Sequence, residues 1–365
     1  MLRPDNPADP AAGRLTALES LIHSLPKAEL HVHLEGSVEP ETLRELSRAK
    51  GRLEKETEAW IQEHERCGFR YGSLPEFLNA FKLIALLLES PSDYALVATR
   101  LLERLTEQNV RYAEITLSAG VILWKGQSLP ETFEAIAEAA QAFESRSSLW
   151  VQWIFDAVRQ FGAEPAREVL DWARKFRSEG VIAFGIGGDE ARGPAELFGR
   201  TYHEAAEMGL HRTAHAGESG NATSVRQAVE ILGAERIGHG FAAAQDRDVM
   251  ELLRVRKIPL EVCLTSNVCT GLIKSIQDHP LKEFLDAGLR VTLNTDDPAL
   301  FGTTLEREML LAAQAFGLSA GEIADLCRNA IQVSFASSDE KESLLSEFET
   351  AAARVDVGSA EPASC

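Results

Sequence analysis

Eight short apolar or β-branched runs, each followed by a helix-like stretch, constrain this chain more than any other feature. They are "AELHVH" (28–33), "VRYAEITL" (110–117), "LWVQWIFDA" (149–157) and "VIAFGIGG" (181–188), then "HRTAHAG" (211–217), "RIGHG" (236–240), "IPLEVCLTSN" (258–267) and "RVTLNTDD" (290–297). Segments such as "DRDVMELLRVRK" (246–257) and "HPLKEFLDAGL" (279–289) carry helical spacing between them. Strands alternating with helices build parallel βαβ units, and eight units predict an α/β fold of the (β/α)8 barrel type. An open doubly wound sheet usually has a Gly-rich phosphate loop after its first strand. Here the first strand runs into "LEGS" instead.

A length of 365 residues suits one such barrel. Residues 1–15, rich in Pro and Ala, and 355–365, ending in "EPASC", read as flexible tails around a single domain over 16–354. The long gap between the first two strands, about 40–108, is itself amphipathic. It predicts a helical insertion over the barrel mouth, a lid in position.

In this fold the chemistry sits where the strands end. His31 and His33 share one face of the first strand, because successive strand side chains alternate. His215 ends the fifth strand with Glu218 just beyond, His239 ends the sixth, and Asp296 and Asp297 end the eighth. Each histidine alone reads as well as a core or solvated side chain. Four of nine at one rim do not read that way. Three imidazoles and a carboxylate make a nitrogen and oxygen set for Zn²⁺, so His31, His33, His215 and Asp296 are assigned as its ligands. The fourth strand end, "VIAFGIGGDE", lacks the lysine that bridges two metals in binuclear barrels, so one zinc per chain is expected. Both aspartates reach the centre only if the strand breaks before them, which Pro298 supports. Asp297 then faces substrate or caps the next helix.

The net charge of −19 argues against nucleic acid or anionic membranes as partners. No apolar run approaches a membrane span, and the N-terminus lacks a secretory signal's apolar centre. Five cysteines without a CxxC suit free thiols in a reducing cytoplasm, with Cys263 and Cys269 read as buried thiols rather than ligands. The P-C-x-x-C of the base-flipping zinc deaminases is absent.

"KAELHVHLEGS", "HAGES" (215–219), "RIGHG" (236–240), "TSNVCTG" (265–271) and "NTDDP" (294–298) together closely resemble the adenosine deaminase family of the amidohydrolase superfamily, over roughly residues 25 to 340. The resemblance implies zinc-dependent hydrolytic deamination of a 6-aminopurine. It implies that Glu218 protonates ring nitrogen N1 and that His239 orients the attacking water and helps take its proton. It also implies that Asp297 hydrogen-bonds N7, that the Gly188 amide meets N3 and that Glu35 reaches the ribose 5′-hydroxyl. Adenosine is the first expected substrate, with aminodeoxyfutalosine and free adenine as alternatives and a silent purine-binding protein as a lesser one. Three departures bear on substrate rather than reaction. Leu264 stands where proline is common, Gly185 where an aspartate is, and "TLSAGVILW" lacks a Ser-Pro.

Overall fold

The structure, a computed structural model, describes residues 10–51, 54–66 and 68–358. Eight parallel strands pair in chain order. They are β1 (Lys27–His33), β2 (Val110–Leu117), β3 (Trp150–Val158), β4 (Val181–Gly187), β5 (His211–Ala216), β6 (Arg236–His239), β7 (Leu260–Val262) and β8 (Val291–Leu293). The ring is nearly closed by backbone bonds just beyond β8: Asp296 N–H donates to His31 O at 2.9 Å, and His33 N–H to Asp296 O at 2.7 Å. The expected barrel is what forms.

Alternation along the strands divides their residues between two environments. In β1, Leu30 and Val32 are buried hydrophobics of the core that packs against the helices. Glu29, His31 and His33 take the other face, inside the barrel, which is unusually polar: Glu29, Glu114, Arg236 and Glu261 are all buried there.

β7 and β8 are three residues each, shorter than the runs 258–267 and 290–297 suggested. Residues Leu264–Cys269 turn instead into a helix. Its "TSN" side chains make hydrogen bonds a ladder would not offer, a known competition between short polar side chains and strands. After β8, Asn294 Oδ1 accepts from Leu30 N–H at 3.2 Å and Glu29 accepts from Thr295 N–H at 3.2 Å. Side-chain acceptors thus replace ladder carbonyls, and the strand breaks before both aspartates.

Helix α1 (Pro10–Ser24) precedes β1. The insertion forms α2 (Pro40–Ala49), α3 (Glu54–Arg66), α4 (Leu74–Leu87) and α5 (Pro91–Glu107), and α6 (Ala119–Trp124) follows β2. Local signals place them. Ser73 caps α4 by accepting from Glu76 N–H, and Ser90 and Asp93 form a capping box on α5, each helix carrying Pro in its first turn. Residues 10–15 and 355–358, assigned by sequence to the tails, lie in α1 and in the last helix, Ser338–Gly358. Residues 1–9 and 359–365 of those tails lie outside the described residues. Among the described residues no helix is long and apolar enough to cross a membrane.

Candidate active site

His31, His33, His215 and Asp296 converge at the C-terminal rim, with one ligand atom from each lying within 4.8 Å of the others. His33 Nε2 is 3.2 Å from His215 Nε2 and 3.3 Å from Asp296 Oδ1. His31 Nε2 is buried 3.4 Å from the same oxygen without hydrogen-bond geometry, so it is a polar atom with no partner. The opposite ring nitrogens are held: His31 Nδ1 by Glu261 at 2.8 Å and His215 Nδ1 by Ile186 O at 3.2 Å. Nitrogens anchored behind and lone pairs aimed at one point are how histidines are oriented for a metal. Burial pushes His33 down to about 4 and His215 well below the ordinary imidazole value, so both offer lone pairs. For His31 burial acts the same way, but the Asp296 and Glu261 carboxylates outweigh it and hold its pKa up. The donor set fits Zn²⁺. A second group, His239, Cys263 and Asp296, shares Asp296, and burial pushes the Cys263 thiol up so that it keeps its proton. Cys263, Cys269 and Cys327 are buried free thiols.

Asp296 and His239 both adopt left-handed backbone, at φ 64° and 60°. Such a conformation costs a non-glycine residue about 1–3 kcal/mol and gathers at functional sites. Here it turns Asp296 inward while Asp297 also reaches the cavity wall. Asp297 occupies the N-cap of Pro298–Phe301, yet its side chain makes no cap bond and its Oδ1 has no partner. Gly36 explains part of this placement, because a Cβ there would lie 1.7 Å from Asp297 Oδ1. Gly238 does the same for His31, at 2.6 Å from Cε1.

His239 Nε2 sits 3.7 Å from Glu218 Oε1 and 3.8 Å from Asp296 Oδ2. Burial lowers His239 to about 4. Burial, reinforced by the Asp296 and Glu190 carboxylates, raises Glu218 well above the usual carboxylate range. Gly188 lies on the same wall, at φ 99°. Glu35 does not. It is fully buried behind the wall, where its carboxylate accepts from Ser118 N–H at 3.1 Å, and burial raises it to about 7. The 5′-hydroxyl contact expected of it gains no support from this placement, because Glu35 does not line the cavity.

The site holds residues that motif reading passed over. Glu261 carries His31 on one oxygen and Arg236 on the other, at 2.8 and 2.5 Å, and Arg236 reaches on to Glu114. Ser266 Oγ donates to Asp296 Oδ2 at 2.7 Å, and the Asn267 amide meets His239 Nδ1 at 3.1 Å. Glu190 accepts from the N–H groups of Gly217, Glu218, Ser219 and Gly220, at 2.8–3.0 Å, and from Ser224. Asp156, near the end of β3, lines the cavity with its carboxyl raised to about 8 by burial. It pairs in register with Gly185, whose Cβ would lie 2.6 Å from Asp156 Oδ1. The carboxylate missing at position 185 thus has a counterpart on the neighbouring strand.

These groups floor one cavity of about 430 Å³, walled further out by α4 and α6. Residues 26–351 match the family model described as adenosine deaminase. The chain belongs to the adenosine deaminase family. Relatives within reach include an aminodeoxyfutalosine deaminase of Streptomyces coelicolor, 35% identical over 96% of this chain and 88% of that protein. An adenosine deaminase of Clostridium kluyveri is 34% identical over 91% of this chain and 95% of its own. The crystal structure of an adenine deaminase from Arthrobacter aurescens superposes with a TM-score of 0.82 at 32% identity, covering 89% of this chain and 98% of that one. As a member of this family the protein is a purine aminohydrolase with a His/His/His/Asp metal-site geometry.

Proposed function

We propose that the protein hydrolyses the C6 amine of a 6-aminopurine nucleoside, converting adenosine to inosine and ammonia, with one zinc held by His31, His33, His215 and Asp296. The observation that carries this reading is the buried Glu218 carboxyl beside His239 at the floor of the cavity. A bound zinc polarises water so that hydroxide forms near neutral pH. The rest is done by the chain's own groups.

Glu218 holds its proton because its charged form is desolvated. It donates that proton to ring N1, drawing electron density from C6 as the water oxygen adds there. His239 takes one proton from that oxygen and returns it to the amine, which leaves as ammonia. The oxygen's second proton passes to the Glu218 carboxylate as the C6–O double bond forms, leaving a 6-oxo purine and both groups as they began. For this His239 needs a free Nε2 lone pair. A half-turn of the Asn267 amide, identical in shape, lets its otherwise unpartnered Oδ1 accept from Nδ1–H and leaves Nε2 unprotonated. Asp297, with an unpartnered oxygen on the wall, binds N7, and the Gly188 amide binds N3. Water exclusion by the buried floor strengthens each of these contacts.

The deciding experiment measures kcat/KM for adenosine, adenine, adenosine 5′-monophosphate and aminodeoxyfutalosine, following purine absorbance and ammonia. Preference for a nucleoside supports the reading. Preference for free adenine overturns the nucleoside assignment, and no ammonia from any of the four overturns deamination.

A further inference from the structure

We propose that Arg159 is a positioning residue for the purine-binding wall and the metal site together: it clamps the loop 188–193 to the backbone of His215. This rests on the deamination reading above and assigns a task to a residue outside the cavity lining. Arg159 follows β3 directly and is 2% exposed, and it does not line the cavity. One terminal nitrogen donates to Gly193 O at 2.6 Å and the other to His215 O at 2.7 Å. β3 and β5 are not neighbours, since β4 pairs between them. The guanidinium therefore spans the end of β4. It holds at one point the loop that continues β4 and the ligand-bearing end of β5.

The loop it holds carries two groups of the site. Gly188, on the cavity wall, opens it, and Glu190, which gathers four N–H groups of the Glu218 loop, lies in its middle. Its own bonds make it a compact turn. Gly193 N–H donates to Asp189 O at 3.0 Å, and Asp189 Oδ1 accepts from the N–H groups of Ala191 and Arg192. Consecutive residues of one segment fasten this turn at both ends. Gln160 Oε1 accepts from Asp189 N–H at 3.1 Å at its start, and Arg159 takes the Gly193 carbonyl at its close. The fit at that close is tight, because a Cβ on Gly193 would lie 2.5 Å from Arg159 Cβ and 2.6 Å from Arg159 O. Stability alone does not account for the choice of residue. A buried charge is costly unless paired. Among the described residues Arg159 has no ion pair, and its Nε is buried with no partner. An apolar side chain of similar volume often serves folding as well or better. What the guanidinium alone offers is a rigid fork that reaches two carbonyls on different segments at once.

The test compares wild type with Arg159→Met, Arg159→Lys and Gly193→Ala, each checked for fold by circular dichroism. Zinc affinity is read by competition with a chelator, and kcat/KM on adenosine by ammonia release. Arg159→Met should weaken zinc about tenfold or more, the scale of losing a group that orients a ligand, and lower kcat/KM on the order of 10²-fold. Arg159→Lys keeps the charge without the fork and should recover only part of both. Gly193→Ala pushes the loop off the clamp but spares the bond to His215, so kcat/KM should fall while zinc affinity holds. Wild-type zinc affinity in folded Arg159→Met overturns the proposal. So does an equal loss of affinity in Gly193→Ala, which would mark general damage. Should Arg159→Met fail to fold, Arg159→Lys decides: zinc affinity and kcat/KM both at wild-type values overturn the clamp. If wild type releases no ammonia from adenosine, the nucleoside reading falls, and zinc affinity still decides the clamp.

Discussion

Glu218 and Asp296 are both buried carboxyls, 8% and 4% exposed, and the surroundings drive them in opposite directions. For Asp296 burial would raise the pKa, but the close His31 side chain and the imidazoles of His239 and His33 hold it well below the usual range. Glu218 faces carboxylates and keeps its proton. One acid is thereby fit to bind a cation and the other to give up a proton. Glu218→Gln keeps shape and volume but has no acidic proton, so it should retain zinc while losing on the order of 10²-fold or more in kcat. Near-normal turnover with full metal content would transfer the role elsewhere. The ligand set was legible from sequence because histidine and aspartate at strand ends are few and their faces follow from period 2. The groups behind them were not. Glu261, Arg236 and Glu190 are charged residues in a composition full of charge, and only the folded chain shows that they are buried. Glu35 is a similar case: spacing puts it two residues after His33, and only the folded chain shows that it is buried away from the cavity lining.

Elements carry the next level of placement. All eight strands were visible as apolar runs, but β7 and β8 end early because side-chain acceptors and a short polar helix take over their backbone partners. A run of apolar residues does not reveal where a side chain outcompetes a ladder. The loop after β5 is a second case. Four consecutive backbone N–H groups, from Gly217 to Gly220, converge on the Glu190 carboxylate, fixing the loop that bears Glu218. Glu190→Gln replaces one accepting oxygen with a donor facing donors. It should lower kcat on the order of 10-fold with KM and zinc content little changed, and Glu190→Asp should recover part of the loss. A drop confined to folded yield would make Glu190 merely structural. At the opposite end of the barrel, Lys27 donates from the start of β1 to the carbonyls of Ile22 and Leu25, at 2.5 and 2.8 Å, closing the C-terminus of α1. Burial lowers it to about 8 from an ordinary 10.5. Between those values the unfolded chain holds a proton that the folded chain has released, so stability rises with pH there; below about 8 the buried charge costs about 3 kcal/mol. Urea midpoints of wild type and Lys27→Met should diverge as pH climbs from about 8 to about 10, with wild type gaining. Parallel curves would refute the assignment.

For the whole molecule, the metal cluster doubles as the barrel's clasp. Its ligands come from β1, from β5 and from just beyond β8, and the backbone bonds that close the ring run through Asp296 and His31, one ligand to another. Without a cation, the arrangement sets His31, held charged, among His33 and His215 with only Asp296 and Glu261 to compensate. A group bound only by the folded state stabilises it by mass action, about 2.7 kcal/mol at a hundred times the dissociation constant. Zinc should therefore bind at about one equivalent per chain, and its removal by a chelator should lower Tm by several degrees and abolish deamination, both restored by adding zinc back. Elemental analysis showing two metals would break the single-site assignment. Loss of activity with an unmoved Tm would separate the catalytic metal from the clasp, placing barrel closure on the backbone bonds and the Glu261–Arg236–Glu114 network alone.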